Sequence, residues 1–495
     1  MNLSAKHQQS VVTYGDFTGG LNTTTVPEMI AENQMADCVN MEFNRTTGAL
    51  QTCCGTATVF QVPQDITIDN LFYDEINNIF LFTDSNTGAI YKSRLVDVDG
   101  THSYDRKKVG TLSGDKAPSA VMWENGLLIA SGGRLQYWNG NELVSIRSEN
   151  APSRCNGVFV KNGRVYVWYD YRLQCSAVGD EEGWTDDSGD DSTSKWIDIG
   201  YKEGENEQAY ITGACALSSD IVIIKNDGKV YRLAGEYPDW SLKEIARNIT
   251  CINPQCYTAV QDGVFIVGRE GMFLLQTTVD YGDVRPTNVA SGIIGLLGIL
   301  SVEKSYVEFL PARNQIWIAG YENRFICFDL TFKAFFQRKF NSAVNAICPY
   351  KDYFMLSRAH KVVELVDGIY HDEKYSDDES EMEWLVIAKS HTSFYDFLLK
   401  RIRLVYVPLL SDFTSAELVT AEGKIKIDIA EAREKASEIV ADKTLIVDDN
   451  RYLFPMNTQF TTRWMVYRNR VFGMMLQGKG SAIMINKIDS AIAEV

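Results

Sequence analysis

Proline, histidine and closely spaced cysteines are scarce in this sequence. Its 495 residues include five histidines, 11 prolines and ten cysteines, and no two cysteines form a Cys-x-x-Cys pair. A structural zinc site needs several such ligands at short spacings, so the sequence offers little for one. Most of the cysteines lie in apolar stretches, as Cys215 and Cys327 do. This context predicts buried, reduced thiols that act as small hydrophobic side chains.

The sequence also lacks a long hydrophobic run. The longest nearly unbroken one, residues 293–300, is far shorter than the roughly 20 residues that a membrane-spanning helix needs. It predicts a buried helix or loop between β units, and the alternative is a tip that touches a membrane or plugs a channel. The start of the chain, MNLSAKHQQS, contains no apolar signal region, so we expect the protein to be made and kept in a reducing cytoplasm.

Basic residues are fewer than acidic residues in this sequence. Lys and Arg total 48 against 65 Asp and Glu, which gives a net charge of −17. This balance argues against an outer surface that grips nucleic acid, because the neutralisation of phosphates requires clustered cations. An acidic wall repels phosphate, so the charge is compatible with a channel through which nucleic acid slides. Simple solubility is the plainer explanation of the same charge.

Short apolar runs separated by turn residues are abundant. Within residues 205–235, strands are predicted at 209–217, 221–225 and 229–233, with Ser-Ser-Asp and Asn-Asp-Gly turns between them. Three hairpin-linked strands cannot bury both faces alone, so this unit needs neighbours of the same kind. Most of the second strand, together with Cys215, is therefore predicted to lie in a core between units.

The same triplet of strands recurs six more times along the chain. The other copies are predicted at 70–73, 79–83 and 89–94; 119–123, 127–131 and 134–138; 157–160, 164–169 and 174–177; 257–260, 264–268 and 272–276; 306–310, 315–319 and 324–329, with a candidate outer strand at 335–338; and 344–348, 353–357 and 362–365. Their first turns are about 46 residues apart on average, a spacing typical of four-stranded propeller blades. We therefore predict an all-β fold with a six- or seven-bladed β-propeller. A β-sandwich is the alternative.

The regions on either side of the repeats have different patterns. Residues 1–60 predict an extended N-terminal arm with a short helix at 31–38 and a strand at 39–43. The predicted propeller occupies residues 61–368.

After the repeats, residues 369–383 are highly charged and predict an acidic linker. Residues 384–495 predict a C-terminal β-rich, sandwich-like domain with a short helix at 430–442. This region is locally basic, which indicates either solvent-facing strand positions or a contact with DNA or an acidic partner. The basic residues are Lys400, Arg401, Arg403, Arg463, Arg468 and Arg470.

Catalytic motifs are missing. The sequence has no phosphate-binding G-x-x-x-x-G-K-[ST] loop and no G-x-S-x-G nucleophile turn. The turn of sialidase-type propellers is not matched by its nearest stretches, residues 84–91 and 188–196. His102, His360, His371 and His391 lack the spacing of metal ligands. We therefore predict that the protein is not an enzyme and has no catalytic, cofactor-binding or metal-binding residue.

The longest insertion in the repeats, residues 179–196, is rich in aspartate. Its spacing is not that of an EF-hand loop, although carboxylates at this density suit Ca²⁺. An acidic surface loop is the simpler interpretation, and a metal site is left open as the alternative. The residues are Asp180, Asp186, Asp187, Asp190 and Asp191.

Two stretches resemble bacteriophage tail nozzle (hub) proteins, also called tail tubular protein B-like proteins. The first combines Gly-Gly-Leu-Asn at 19–22, NQMADCVNM at 33–41 and Gly-Ala-Leu at 48–50. Cys-Cys-Gly at 53–55 stands where that family has Arg-Pro-Gly. The second stretch, SAVGDEEGW at 176–184, is similar to the family's Ser-x-x-Gly-Asp-x-x-x-Trp.

The resemblance implies a structural protein of the virion, assembled in the host cytoplasm. It implies a homohexameric ring below the portal-adaptor ring of a short-tailed phage, in which the arm and the C-terminal domain pack together as a platform. Implied partners are further copies of the chain, the portal-adaptor ring protein, tail fibre or spike proteins, tail tip or needle proteins, and viral DNA that is retained and ejected through the lumen without sequence specificity. No catalytic residue and no cofactor is carried over. The alternative is a non-viral β-propeller that acts as a binding module or as a glycan-acting enzyme.

Overall fold

The computed structural model describes residues 9–98, 101–205, 207–277, 284–321, 323–350, 353–374, 377–409, 415–420, 423–427, 458–461 and 467–494. Most of them lie in strands. Their helices are two 3-10 helices, Ser291–Ile299 and Pro311–Arg313. The all-β prediction is confirmed.

From residue 9 onwards, where the description of the chain begins, six strands precede the repeats. They are β1 (Gln9–Tyr14), β2 (Gly20–Leu21), β3 (Gln34–Val39), β4 (Met41–Phe43), β5 (Leu50–Thr52) and β6 (Gly55–Gln61).

Each of the seven predicted copies forms an antiparallel four-stranded unit. The first three units contain β7 (Ile68–Asp74), β8 (Ile79–Asp84), β9 (Ala89–Val98) and β10 (Thr101–Thr111); β11 (Ser119–Trp123), β12 (Gly126–Ala130), β13 (Gln136–Trp138) and β14 (Leu143–Ser145); and β15 (Gly157–Lys161), β16 (Arg164–Tyr169), β17 (Arg172–Cys175) and β18 (Lys195–Asp198). The next three contain β19 (Ile211–Leu217), β20 (Asp220–Lys225), β21 (Val230–Ala234) and β22 (Ser241–Ala246); β23 (Tyr257–Val260), β24 (Gly263–Gly268), β25 (Gly271–Thr277) and β26 (Val284–Asn288); and β27 (Val307–Leu310), β28 (Gln315–Ala319), β29 (Arg324–Asp329) and β30 (Ala334–Lys339). The seventh contains β31 (Ala346–Tyr350), β32 (Tyr353–Arg358) and β33 (Lys361–Val366), with β6 as its fourth strand.

The side chains of strand β20 show how neighbouring units pack. Ile221 and Ile223 belong to the apolar cluster between the third and fourth units, whereas Val222 and Ile224 belong to the cluster between the fourth and fifth. Successive side chains of a strand point to opposite faces, so one apolar run fills two cores. This strand and Cys215 are buried, as predicted.

The N-terminal strand β6 closes the circle of units. It pairs antiparallel with β33, so that Thr58 lies opposite Val363. Phe60 then packs with Ile68 and Phe80 of the first unit. The seven units therefore form a closed seven-bladed β-propeller, and the predicted arm boundary at residue 60 falls inside one of its strands.

In the described part of the chain after residue 366, nine further strands follow the propeller. They are β34 (His371–Asp372), β35 (Ser380–Glu381), β36 (Glu383–Ala388), β37 (His391–Pro408), β38 (Ser415–Thr420), β39 (Gly423–Ile427), β40 (Thr458–Thr461), β41 (Tyr467–Lys479) and β42 (Ile483–Glu494).

The sixth blade continues into these strands as one sheet of 16 strands. Arm strand β3 is the connection: Val39 pairs with Gln337 of β30, and Cys38 pairs with Val386 of β36. Arm strands β1 and β5 pair with β42. The prediction of a helix at 31–38 is therefore wrong, because pairing on both sides of β3 outweighs the local helix preference. The predicted helix at 430–442 lies outside the described residues.

Candidate functional site: the propeller junction and the acidic insertion

Where the arm meets the sixth blade, a buried ion pair reinforces the strand pairing. Arg313 donates from Nη1 to Oε1 of Glu42 at 2.9 Å, and its other terminal nitrogen contacts the Asp367 carboxylate. Gln315 also donates to Glu42, at 3.4 Å. The arm, the sixth blade and the end of the seventh blade thus share one polar cluster.

The first residues of the predicted acidic linker take part in a second cluster of ion pairs. Glu373 accepts from Arg358 at 2.8 Å and from Lys361 at 3.1 Å, and all three side chains are buried. Asp372, also buried, lies 3.6 Å from Arg358. Buried carboxylates of this kind are retained only when they are paired with cations. This part of the linker is therefore packed against the seventh blade.

Four of the five aspartates of the insertion at 179–196 bond through their side chains to groups within the insertion. Asp180, Asp187 and Asp190 accept from the backbone N–H two residues ahead at 2.9, 3.0 and 2.8 Å respectively, the geometry of Asx turns. Asp186 pairs at 2.6 Å with Lys195, whose side chain is only 2% exposed. Among the residues that the structure describes, no group of three or more His, Cys, Asp or Glu side chains is placed to hold a metal ion.

The histidines named from the sequence lie on separate elements. His360 lies in the turn between β32 and β33, His371 on β34 and His391 at the start of β37. Burial, with a smaller contribution from Lys389, lowers the pKa of His391. The side chain of His102, on β10, lies outside the described part.

All ten cysteines are free and buried, which confirms the predicted packing role. Burial raises the pKa of Cys215 to about 12, and burial is also the main cause that raises the pKa of Cys155 to about 12. A thiol with such a pKa carries almost no thiolate near neutral pH, so these sulfurs are poor nucleophiles and poor metal ligands.

Several large apolar side chains are exposed on hydrogen-bonded segments of the arm, of the connection before the sixth blade and of the sixth blade itself. They include Met29, which is 76% exposed, and Ile294, which is 57% exposed. The backbone holds them together, since Thr23 N donates to Gly292 O at 2.8 Å and Tyr321 N donates to Ile299 O at 2.7 Å. We call this the apolar surface; its exposed large side chains are those of Val26, Met29, Ile294, Val302 and Tyr321.

An apolar run in the sequence indicated the part of this surface that comes from the 3-10 helix. The run at 293–300 lies almost entirely within the 3-10 helix Ser291–Ile299 between β26 and β27, as predicted, but only Ile293 of that helix is buried. The contribution of the arm was missed, because Val26 and Met29 are isolated apolar residues in a polar stretch. Within the described residues, no helix is long and apolar enough to cross a membrane.

Of the six basic residues named from the C-terminal sequence, Arg470 is the one whose side chain is described, and it is exposed. The side chains of the other five basic residues lie outside the described part.

Comparison with known proteins supplies no family. No family model matches the chain, and no curated protein matches it. Among solved structures, the chain is similar to the RRP9 WD40 repeats, with 10% identity, a TM-score of 0.42 and coverage of 64% of this chain and 99% of that one. It is also similar to the Neurospora crassa Pan2 WD40 domain (9% identity, TM-score 0.40, 64% and 96% covered) and to the β-propeller domain of Myceliophteria thermophila Cps50 (8% identity, TM-score 0.41, 63% and 99% covered). At such low identities and TM-scores, the propeller assignment rests on the strand pairing described above.

Proposed function

We propose that this protein is a non-catalytic structural subunit that assembles with further copies of itself into a ring, namely the tail nozzle of a short-tailed phage. The apolar surface is the observation that carries the proposal. Exposed apolar side chains grouped on hydrogen-bonded neighbouring segments are typical of protein–protein contacts. Met29 lies in the arm and Ile294 lies in the 3-10 helix before the sixth blade, so a neighbouring subunit that covers both would contact the arm and the propeller.

The shared sheet gives the proposed subunit its form. Strand β3 pairs with both β30 and β36, so the propeller and the C-terminal strands are held together by backbone hydrogen bonds. In the proposed ring, the arm and the C-terminal strands are the sandwich-like platform that sits on the portal-adaptor ring, and the propellers project around the channel. The net charge of −17 suits a lumen through which DNA passes without sticking. Fibre and tail-tip proteins would complete this assembly in the virion.

The test is the oligomeric state of the purified full-length chain, measured by multi-angle light scattering and negative-stain microscopy. We expect rings with an open lumen from the wild type and monomers from a Met29→Asp/Ile294→Asp double variant. Ile76→Asp is the matched control, because Ile76 is a similarly exposed apolar residue on the first blade. Circular dichroism shows whether each variant is folded. A wild type that is monomeric at every concentration, or a folded double variant that still forms rings, overturns the proposal.

A monomeric propeller that acts as a binding module is the second candidate. Closure of the seven blades by β6 favours it, because the propeller is complete without a neighbouring chain. A concentration-independent monomer in the same light-scattering experiment is the result expected from this candidate.

A further inference from the structure

A cavity lies where the third and fourth blades meet, next to the acidic insertion. Its volume is about 240 Å³. Three segments enclose it: the β15–β16 turn, the end of the insertion and the β21–β22 turn. The lining residues used below are Asn162, Arg164, Asp191, Glu236, Tyr237 and Trp240.

The walls of the cavity are held by hydrogen bonds within the protein. Asn162 donates from its side-chain amide to the Glu236 carboxylate, which ties the third blade to the fourth. Arg164 donates to the backbone oxygens of Ser176 at 2.8 Å and Thr193 at 2.7 Å. It also donates to the backbone oxygen of Asp191 at 2.5 Å. The cavity is therefore preformed, which reduces the ordering cost of binding.

Two aromatic rings supply an apolar side. Tyr237 and Trp240 pack edge to face, with ring centroids 5.6 Å apart and an interplanar angle of 83°. Trp240 is partly buried against the apolar cluster between the two blades, whereas Tyr237 is 36% exposed. Trp240 thus fixes the exposed ring of Tyr237, which can receive the flat face of a ligand.

The charges around the cavity disfavour an ionic ligand of either sign. The carboxylates of Asp191 and Glu236 repel an anion. A cation is attracted by these carboxylates, but it is repelled by the guanidinium of Arg164 in the wall and by the Lys195 ammonium, which already lies 4.8 Å from the centre of the Tyr237 ring. A neutral ligand rich in hydroxyl groups suffers neither repulsion, and its O–H groups can donate to the carboxylates.

We propose that this cavity binds one pyranose ring of a neutral glycan. The C–H face of the sugar packs on the exposed ring of Tyr237, beside Trp240, and its hydroxyl groups donate to Asp191 and Glu236. The volume fits a single sugar residue, since pockets for larger ligands start at roughly 300 Å³. A ligand of this size binds with a dissociation constant in the millimolar range. The site lies away from the apolar surface and does not depend on the ring proposal.

The test is saturation-transfer NMR on the full-length protein with glucose, galactose, mannose and N-acetylglucosamine as separate probes. We expect at least one of these sugars to receive saturation at its ring C–H protons. Glu236→Gln and Tyr237→Ala should each weaken binding by about tenfold or more. Tyr201→Ala is the matched control, because Tyr201 is an exposed aromatic residue outside the cavity and should leave binding unchanged.

Melting curves recorded by circular dichroism identify any variant that has lost its fold. Conserved melting with lost sugar binding supports the proposal. Absence of transfer to all four sugars overturns it, and so does equal transfer in the wild type and both folded cavity variants. Binding of glucuronate or lysine as tight as that of the neutral sugars contradicts the charge argument and overturns it as well.

Discussion

Arg313 donates to Glu42 at 2.9 Å, although the two residues are 271 positions apart. Arg313 ends the 3-10 helix before β28 of the sixth blade, and Glu42 lies on arm strand β4. Their side chains are 15% and 6% exposed. The ion pair therefore anchors the N-terminal arm to the propeller in a place that water hardly reaches.

Removal of the charge of Glu42 should destabilise the protein. In Glu42→Gln, the Arg313 guanidinium is left largely buried with Asp367 as its remaining counter-charge, and we expect the free energy of unfolding to fall by about 2–4 kcal/mol. Urea unfolding measures this change. The control is Arg154→Gln, which breaks the exposed pair with Asp170 and should cost less than about 1 kcal/mol. Equal losses in the two variants would show that burial of the Glu42 pair has no energetic consequence.

The closure of the propeller by β6 should depend on Phe60. This side chain is buried, and its ring centroid lies 6.2 Å from those of Phe80 and Phe82. Phe60→Ala leaves a cavity between the seventh and first blades, and we expect it to lower the free energy of unfolding by about 3 kcal/mol or more. Thermal and urea unfolding test this, with Tyr201→Ala as the exposed aromatic control. If both variants unfold alike, the contact between β6 and the first blade does not stabilise the ring of blades.

Glu308 should make stability depend on pH. Glu308 is half-buried on β27, the first strand of the sixth blade, and desolvation raises the pKa of its carboxyl group to about 8, from an ordinary value of 4.5. Between these two values the folded protein keeps a proton that the unfolded chain releases, so this group's contribution to stability falls as the pH rises and levels off above pH 8. The slope is at most about 1.4 kcal/mol per pH unit.

Glu308→Gln should flatten this dependence and stabilise the protein above neutral pH. Urea midpoints measured from pH 5 to pH 9 test the prediction. Glu303→Gln is the control, because Glu303 is an exposed carboxylate in the preceding loop. An unchanged pH slope in Glu308→Gln would contradict the assignment.

Local patterns were enough to predict the inner three strands of each blade. Strands β28 and β29 have the predicted bounds, and both consist mainly of buried apolar residues. The predicted Lys-Asn-Gly turn is also present, with φ of 50° at Asn162 and 68° at Gly163. Both residue types tolerate positive φ, which tight hairpin turns require. These signals are contained within a few neighbouring residues.

Most of the outer strands were missed for the opposite reason. Strand β26 has only Val284 buried, and β22 has no buried residue. Partly exposed strands tolerate polar residues, so they lack the apolar pattern on which the prediction relied. The candidate site was missed in the same way, since neither Met29 of the apolar surface nor Glu236 of the cavity belongs to a motif.

The sequence by itself determined the repeating three-stranded unit, its sevenfold recurrence and the burial of its cysteines, because apolar alternation and turn residues act over short distances. Only the tertiary structure decided how the ends of the chain are used. Strand β6 completes a blade whose other strands begin nearly three hundred residues later, and β3 joins the sixth blade to the C-terminal strands. Such pairings depend on which sheet edge is left unpaired once the blades have packed, and no local sequence pattern specifies that edge.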